Sequence, residues 1–286
     1  MRALYSAPAL GLVAAVFLLP VGQALWTSLH RVWRQVPHET PFVGLENYRL
    51  LLASDRFWAA LGHTTVFTAG SVALELALGL GLALLVHRKI RGRGVVRAAV
   101  LVPWVLPTVV SSLLWGWIYH DRYGLANHLL LTLGVLAEPR VWLGDPVLAM
   151  AAAIVADVWK TTPYVALILL TGLQAVDPVV YEAGALDGAA GARAFRYLTL
   201  PLLLPSMAVA LMFRTLDAFR VFDLIYVLTR GGPGGSTETV SVLAYQLLFQ
   251  DLDFGRGAAM GILILAAGAM IGTGYLWALR FARGAG

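Results

Sequence analysis

Six apolar stretches, at about 8–29, 64–86, 98–118, 147–170, 203–228 and 256–279, dominate this 286-residue chain. Each is long enough, at 1.5 Å per helical residue, to cross a hydrocarbon core of about 30 Å. Lipid offers the backbone no hydrogen-bond partners, so apolar runs of this length must close their bonds internally as helices. The pattern therefore predicts an all-α membrane protein with six transmembrane helices. With 59% hydrophobic and 13% charged residues, nothing is left for a separate soluble domain of any size, and residues 1–286 are read as a single transmembrane domain. Only Arg2 precedes the first stretch and no clean small-residue cleavage site follows it, so a retained helix is expected rather than a signal peptide.

Orientation rests on one short connection. Arg88, Lys89, Arg91, Arg93 and Arg97 lie between the second and third spans with no acid among them, which places that end in the cytoplasm. Six spans then put both termini on the same side. Squeezed between two membrane spans, this cluster is a poor nucleic-acid site. The 30–62 segment, expected outside, carries Arg31, Arg34, Arg49 and Arg56 and weakens the overall bias. Its Phe42, Leu45, Tyr48, Phe57 and Trp58 give it an amphipathic character suited to the membrane interface.

Several chemistries are excluded. The chain has no cysteine, hence no disulfide or thiolate metal site. Its two lysines, Lys89 and Lys160, follow Arg and Trp, so no Gly-x-x-x-x-Gly-Lys-Ser/Thr phosphate loop exists. The six histidines, at 30, 38, 63, 87, 120 and 128, lack His-x-x-x-His or Glu-x-x-His spacing, and no Gly-x-Ser-x-Gly elbow occurs. The chain is read as a non-enzyme holding no metal or cofactor of its own.

Polar groups inside the spans mark where function lies. Pro103 and Pro107 break the third span, and broken membrane helices occur where protein or a hydrated cavity satisfies the freed carbonyls. The fourth contains Asp157, Trp159, Lys160, Thr161, Thr162 and Pro163. In the fifth, Arg214, Asp217, Arg220 and Asp223 follow at intervals of three with alternating sign, making three ion pairs geometrically available. Four unpaired central charges would cost about 10–14 kcal/mol on the insertion scale, so this helix is expected to line a hydrated cavity or pair its charges internally. A structural ion-pair ladder and a substrate-contact role are both open for these residues.

Between the fourth and fifth spans, 177–201 is a polar, Gly-punctuated island. Asp177-Pro178 is an N-cap and first-turn pair, Asp187-Gly188 marks a turn, and a second short helix is expected through Arg193, Phe195 and Arg196 until Pro201. Glu182-Ala183, Gly188 six positions after Glu182, and Leu200-Pro201 resemble the EAA loop of ABC importer permeases; with Asp187-Gly188-Ala189 and Phe195 the match is similar to the maltose and trehalose type. The family's second Ala is Gly184 here and its Ile is Leu198. Gly44-Leu45-Glu46-Asn47-Tyr48 also resembles the extracytoplasmic loop of sugar permeases, and the resemblance covers most of the chain.

The resemblance implies a type I ABC importer permease fold in a bacterial inner membrane and uptake of a sugar, a disaccharide such as trehalose or maltose. It implies as partners a second homologous permease, two copies of an ATPase that binds ATP and Mg, and an extracytoplasmic sugar-binding protein. The ATPase would couple through Glu182, Ala183, Gly184, Asp187, Gly188, Leu200 and Pro201. Positional matching puts the sugar against Trp104, Thr108, Lys160, Thr161, Asp217, Arg220 and Val221, although Trp104 reads equally well as an interface or packing aromatic. A glycerol-phosphate or oligosaccharide importer is the close alternative. A secondary transporter using the charges of the fifth span as an ion relay is the distant one.

Overall fold

The computed structural model describes residues 2–33, 40–87 and 92–284. Arg34, His38, Arg88, Lys89 and Arg91 lie outside the described residues, as do the side chains of Arg2, Arg93 and Arg283, so of the five basic side chains that set the orientation only Arg97 is described. In chain order the helices are α1 (Arg2–Ser28), α2 (Glu46–Leu52), α3 (Asp55–His87), α4 (Arg93–Val105), α5 (Thr108–Ile118), α6 (Leu125–Thr132) and α7 (Pro146–Gln174). They continue with α8 (Pro178–Leu186), α9 (Ala192–Ala194), a π-helical turn (Phe195–Thr199), α10 (Leu200–Phe219), α11 (Asp223–Leu228), α12 (Val240–Phe249) and α13 (Phe254–Gly284). Among the described residues the only β-pairings are the isolated bridges His30–Phe42 and Trp33–Asp253.

Among the described residues five helices are long and apolar enough to span a membrane, and α4 with α5, bent by 90°, makes a sixth if the pair is counted as one span. The bend sits at Pro107. A proline pushes the residue before it out of the helical region, and Leu106 has ψ 136° with Pro107 itself at ψ 138°. Pro103, by contrast, lies inside α4.

Three expected boundaries are corrected. Phe57 and Trp58 belong to α3, which starts at Asp55 rather than 64. The second helix of the 177–201 island does not stop at Pro201 but continues into the fifth span. Pro201 has no N–H and its ring crowds the carbonyl four residues back; the preceding turn widens into a π-helix, with Leu200 N–H bonding Phe195 O five residues back. Finally, the fifth span is not one helix over 203–228: α10 ends at Phe219, residues 220–222 are irregular, and α11 begins at Asp223.

The chain divides into two compact units. In the unit of residues 1–62 and 238–269, Asn47 Nδ2 donates to the carbonyls of Ser28 (2.7 Å) and His30 (3.0 Å), and Ser28 Oγ meets the Tyr48 hydroxyl at 2.6 Å. Two residues of the Gly44–Tyr48 motif thus fasten the end of α1 to α2. Arg56 forks onto Glu238 at 2.7 and 2.9 Å and also reaches Gln246. The exposed apolar side chains of α1 beyond residue 11, such as Leu12, Phe17 and Leu18, suit a lipid-facing helix.

The unit of residues 63–237 and 270–286 is centred on α7. Asp145 caps this helix through Val147 N and Leu148 N, both 2.9 Å, with Pro146 in its first turn. Ala149, Ala152, Ala153 and Ala156 keep one face slim, as membrane helix packing favours, and all are buried. Gly79 and Gly172 admit close neighbours: a Cβ at 79 would lie 2.7 Å from Val165 Cγ1, and one at 172 would collide with Ser206. The core between α3, α7 and α10 is built on Ala83, Val86, Leu169, Leu173 and Leu203.

A buried charge hub beneath a polar cavity

Where α10 gives way to irregular backbone, a cavity of about 230 Å³ opens. Its lining comes from α4 (Trp104), the start of α5 (Thr108), α7 (Asp157, Lys160, Thr161) and α10 with the break after it (Arg214, Asp217, Arg220, Val221, Phe222). The seven residues expected at a sugar site, Trp104, Thr108, Lys160, Thr161, Asp217, Arg220 and Val221, all lie on this one cavity. Each break in the spans contributes to it. Irregular backbone inside a membrane protein is tolerated where it lines such a space.

Beneath the cavity sits a hub centred on Arg214, whose side chain is 2% exposed. Its Nε and Nη2 fork onto the two carboxylate oxygens of Glu75 at 2.5 and 2.8 Å. Nη2 also donates to Asp157 at 2.9 Å, and Nη1 to Asp217 at 2.5 Å. The Thr161 hydroxyl lies 2.5 Å from Glu75 Oε1 and 2.6 Å from the Asp157 carbonyl. Three helices are thereby tied: α3 by Glu75, α7 by Asp157 and Thr161, and α10 by Arg214. A buried guanidinium with four of its five donors engaged avoids most of the penalty of an unpaired charge.

The ion-pair ladder that the spacing makes available forms in part. Of the three i,i+3 pairs available along 214–223, only Arg214–Asp217 is made. Arg220 caps the end of α10, donating Nε to Leu216 O at 3.1 Å, and Asp223 opens a new helix, so the break separates them. Asp217 points outward from the hub with its side chain 70% exposed. Lys160 Nζ lies 3.5 Å from the Trp104 carbonyl, and the Trp104 ring stacks on Tyr164 with centroids 5.6 Å apart. The cavity thus offers an aromatic face, two cations and an outward carboxylate. Glu75 is not legible in the sequence, because it stands alone in an apolar helix, 139 residues from Arg214. A lone acid mid-span is its only local signal. Among the described residues no three His, Asp or Glu gather to hold a metal.

Beyond the C-terminal end of α7 the 177–201 island forms two short helical pieces. Asp177 caps α8 through Val179 N at 2.9 Å. The helix closes in a Schellman turn: Gly188 N–H bonds Ala185 O (3.1 Å), Ala189 N–H bonds Gly184 O (2.8 Å), and Gly188 takes φ 77°. The two departures from the family pattern meet each other, because a Cβ at Gly184 would press on Leu198 Cδ1. Glu182, Ala183, Asp187, Gly188 and Pro201 are exposed, while Gly184 is buried and Leu200 half-buried. Around them Val179, Tyr197 and, at 91% exposure, Leu186 present apolar surface.

The chain resembles known proteins along nearly its whole length. Residues 75–281 match the family described as binding-protein-dependent transport system inner membrane component. The trehalose/maltose transport system permease protein MalF of Thermococcus litoralis is 47% identical over 96% of this chain and 92% of its own. The trehalose transport system permease protein SugA of Mycobacterium tuberculosis is 42% identical over 93% of this chain and 84% of its own. In fold, it superposes on a bacterial ABC transporter involved in import of the acidic polysaccharide alginate, with a TM-score of 0.81 at 22% identity, over 98% of this chain and 94% of the other. The chain belongs to the binding-protein-dependent transport system inner membrane components, as a multi-pass ABC importer permease whose ATP hydrolysis is done by a partner.

Proposed function

We propose that this permease imports a disaccharide of the trehalose or maltose kind, with the cavity of Trp104, Thr108, Lys160, Thr161, Asp217, Arg220 and Val221 as its sugar site. The observation that carries the reading is the convergence of those seven side chains, from α4, α5, α7, α10 and the break after it, on one space. An aromatic face with hydroxyl, carboxylate and guanidinium groups suits a polyhydroxylated ligand, whose vicinal hydroxyls both donate and accept. The 42–47% identity to trehalose and maltose permeases supports the choice of sugar.

In this reading α8 and the helical piece after it dock into an ATPase. Glu182 is exposed and makes no side-chain bond among the described residues, so it is available to a partner, while Leu186 and Tyr197 supply apolar contact area. The assembly would hold a second, homologous permease, two ATPase copies with ATP and Mg, and an extracytoplasmic sugar-binding protein. Both termini and the 177–201 loop would face the cytoplasm. Closure of the ATPase dimer pushes the loop, and the spans rock about the cavity between inward- and outward-open states.

The test is uptake of labelled trehalose and maltose by the assembled transporter in proteoliposomes, with Lys160→Met and Asp217→Asn beside the wild type. Loss of uptake in both variants with the complex intact supports the site; undiminished uptake refutes it. Lys160 and Arg220 form no ion pair among the described residues, which favours glycerol phosphate as a second reading. Competition of trehalose uptake by glycerol 3-phosphate distinguishes the two.

A further inference from the structure

The groove between α3, α4 and α7 contains a charged group whose buried donors meet no acceptor among the described residues. Its walls are apolar, with Val86 from α3, Val100 and Leu101 from α4, and Leu167 from α7. Arg97 is the one polar residue on it, and its Nε and Nη2 are buried without a hydrogen-bond partner. A guanidinium does not lose its charge, and a buried charged donor left without an acceptor is strongly unfavourable. The unsatisfied edge is also informative. In Arg49, Arg56 and Arg214 the same Nε–Nη2 edge grips both oxygens of one carboxylate. At Arg97 no such two-oxygen partner stands among the described residues.

We infer that Arg97 binds the phosphate of an anionic phospholipid, with an acyl chain lying along Val100, Leu101 and Leu167. The two non-bridging oxygens of a phosphodiester match the fork as a carboxylate does. A membrane lipid is favoured over a free anion because the rest of the groove is apolar and would desolvate a small, strongly hydrated ion with one cation in return. On α4 itself, Val95, Val102 and Val105 are 56–75% exposed, as on a lipid-facing helix. Arg88, Lys89, Arg91 and Arg93 precede it in sequence, and basic residues at a span's end attract anionic headgroups.

The experiment uses the whole transporter, co-expressed with its partner subunits, delipidated in detergent and followed by thermal unfolding and native mass spectrometry. Phosphatidylglycerol, phosphatidylcholine with the same chains, and sodium phosphate are added separately to the wild type, Arg97→Gln and Arg97→Lys. Phosphatidylglycerol should raise the wild-type midpoint by at least about 2 °C, Arg97→Gln should lose that shift, and Arg97→Lys, which keeps charge without the fork, should retain less than half. An equal shift from phosphatidylcholine, or a full shift in Arg97→Gln, overturns the site. A full shift from sodium phosphate alone overturns the lipid as its occupant. Should Arg97→Gln fail to assemble, the wild type decides: retained phosphatidylglycerol after delipidation supports the inference, and its absence contradicts it.

Discussion

The hub around Arg214 and the loop at 177–201 lie in the same unit and are built by opposite means. In the hub every buried charge has a named partner, and those partners come from three helices. In the loop the residues expected to matter are mostly exposed, and the backbone sets their positions through an Asp177 cap, a Gly188 turn and the Gly184–Leu198 contact. The buried hub finds the partners of its charges inside the chain; a docking surface leaves its polar groups for another subunit. The contrast teaches that substitutions at the two places should fail differently, in assembly at the hub and in coupling at the loop.

The largest effect is expected from Arg214→Met. It leaves Glu75 and Asp157 buried without a counter-charge, at a cost of about 3–5 kcal/mol. The subunit should be nearly absent from the membrane fraction on immunoblots; normal abundance would show that the hub is not structurally required. Glu182→Lys should do the reverse, leaving abundance and thermal midpoint unchanged while uptake falls at least about tenfold and ATPase co-purification weakens, a loss of about 1.4 kcal/mol or more in the coupling contact. If abundance falls as well, the distinction between the two regions fails.

Gly184→Ala probes the backbone side of the comparison. Its Cβ must displace Leu198, which should destabilise the loop by about 1–3 kcal/mol, and adding Leu198→Ala should recover part of the loss. Thermal unfolding of the single and double variants reads that coupling directly; strictly additive effects would mean the contact is not made. The smallest effect is expected from Asp177→Ala, about 1 kcal/mol through the lost cap on Val179 N, seen as faster proteolysis at α8 with uptake only modestly reduced.

The same contrast explains what could be read from sequence. The cap, turn and Glu182 of the loop are encoded by adjacent residues, so their geometry was legible, and Pro107 announced the bend between α4 and α5. The seven cavity residues follow from the resemblance to sugar permeases, by position, and not from the local pattern. Glu75 was not found, because its meaning lies in a partner 139 positions away. Nor is the break at Arg220–Phe222 legible, since 219–223 contains neither glycine nor proline and the i,i+3 spacing of its charges is compatible with an unbroken helix. Pro201 misled in the other direction: read as a stop, it is absorbed by a π-helical turn that only the packed loop reveals.

The central claim is that sugar passes through the cavity above the Arg214 hub. The most direct test is trehalose uptake by proteoliposomes containing the complete transporter at saturating binding protein, comparing wild type with Asp217→Asn while ATP hydrolysis is recorded in parallel. Asp217 is 70% exposed at the cavity and is not needed for the Glu75 fork on Arg214, so the variant should assemble. Uptake should drop about tenfold or more, equivalent to about 1.4 kcal/mol, with ATP hydrolysis largely retained. Uptake equal to wild type would contradict the assignment and move the sugar path elsewhere in the protein.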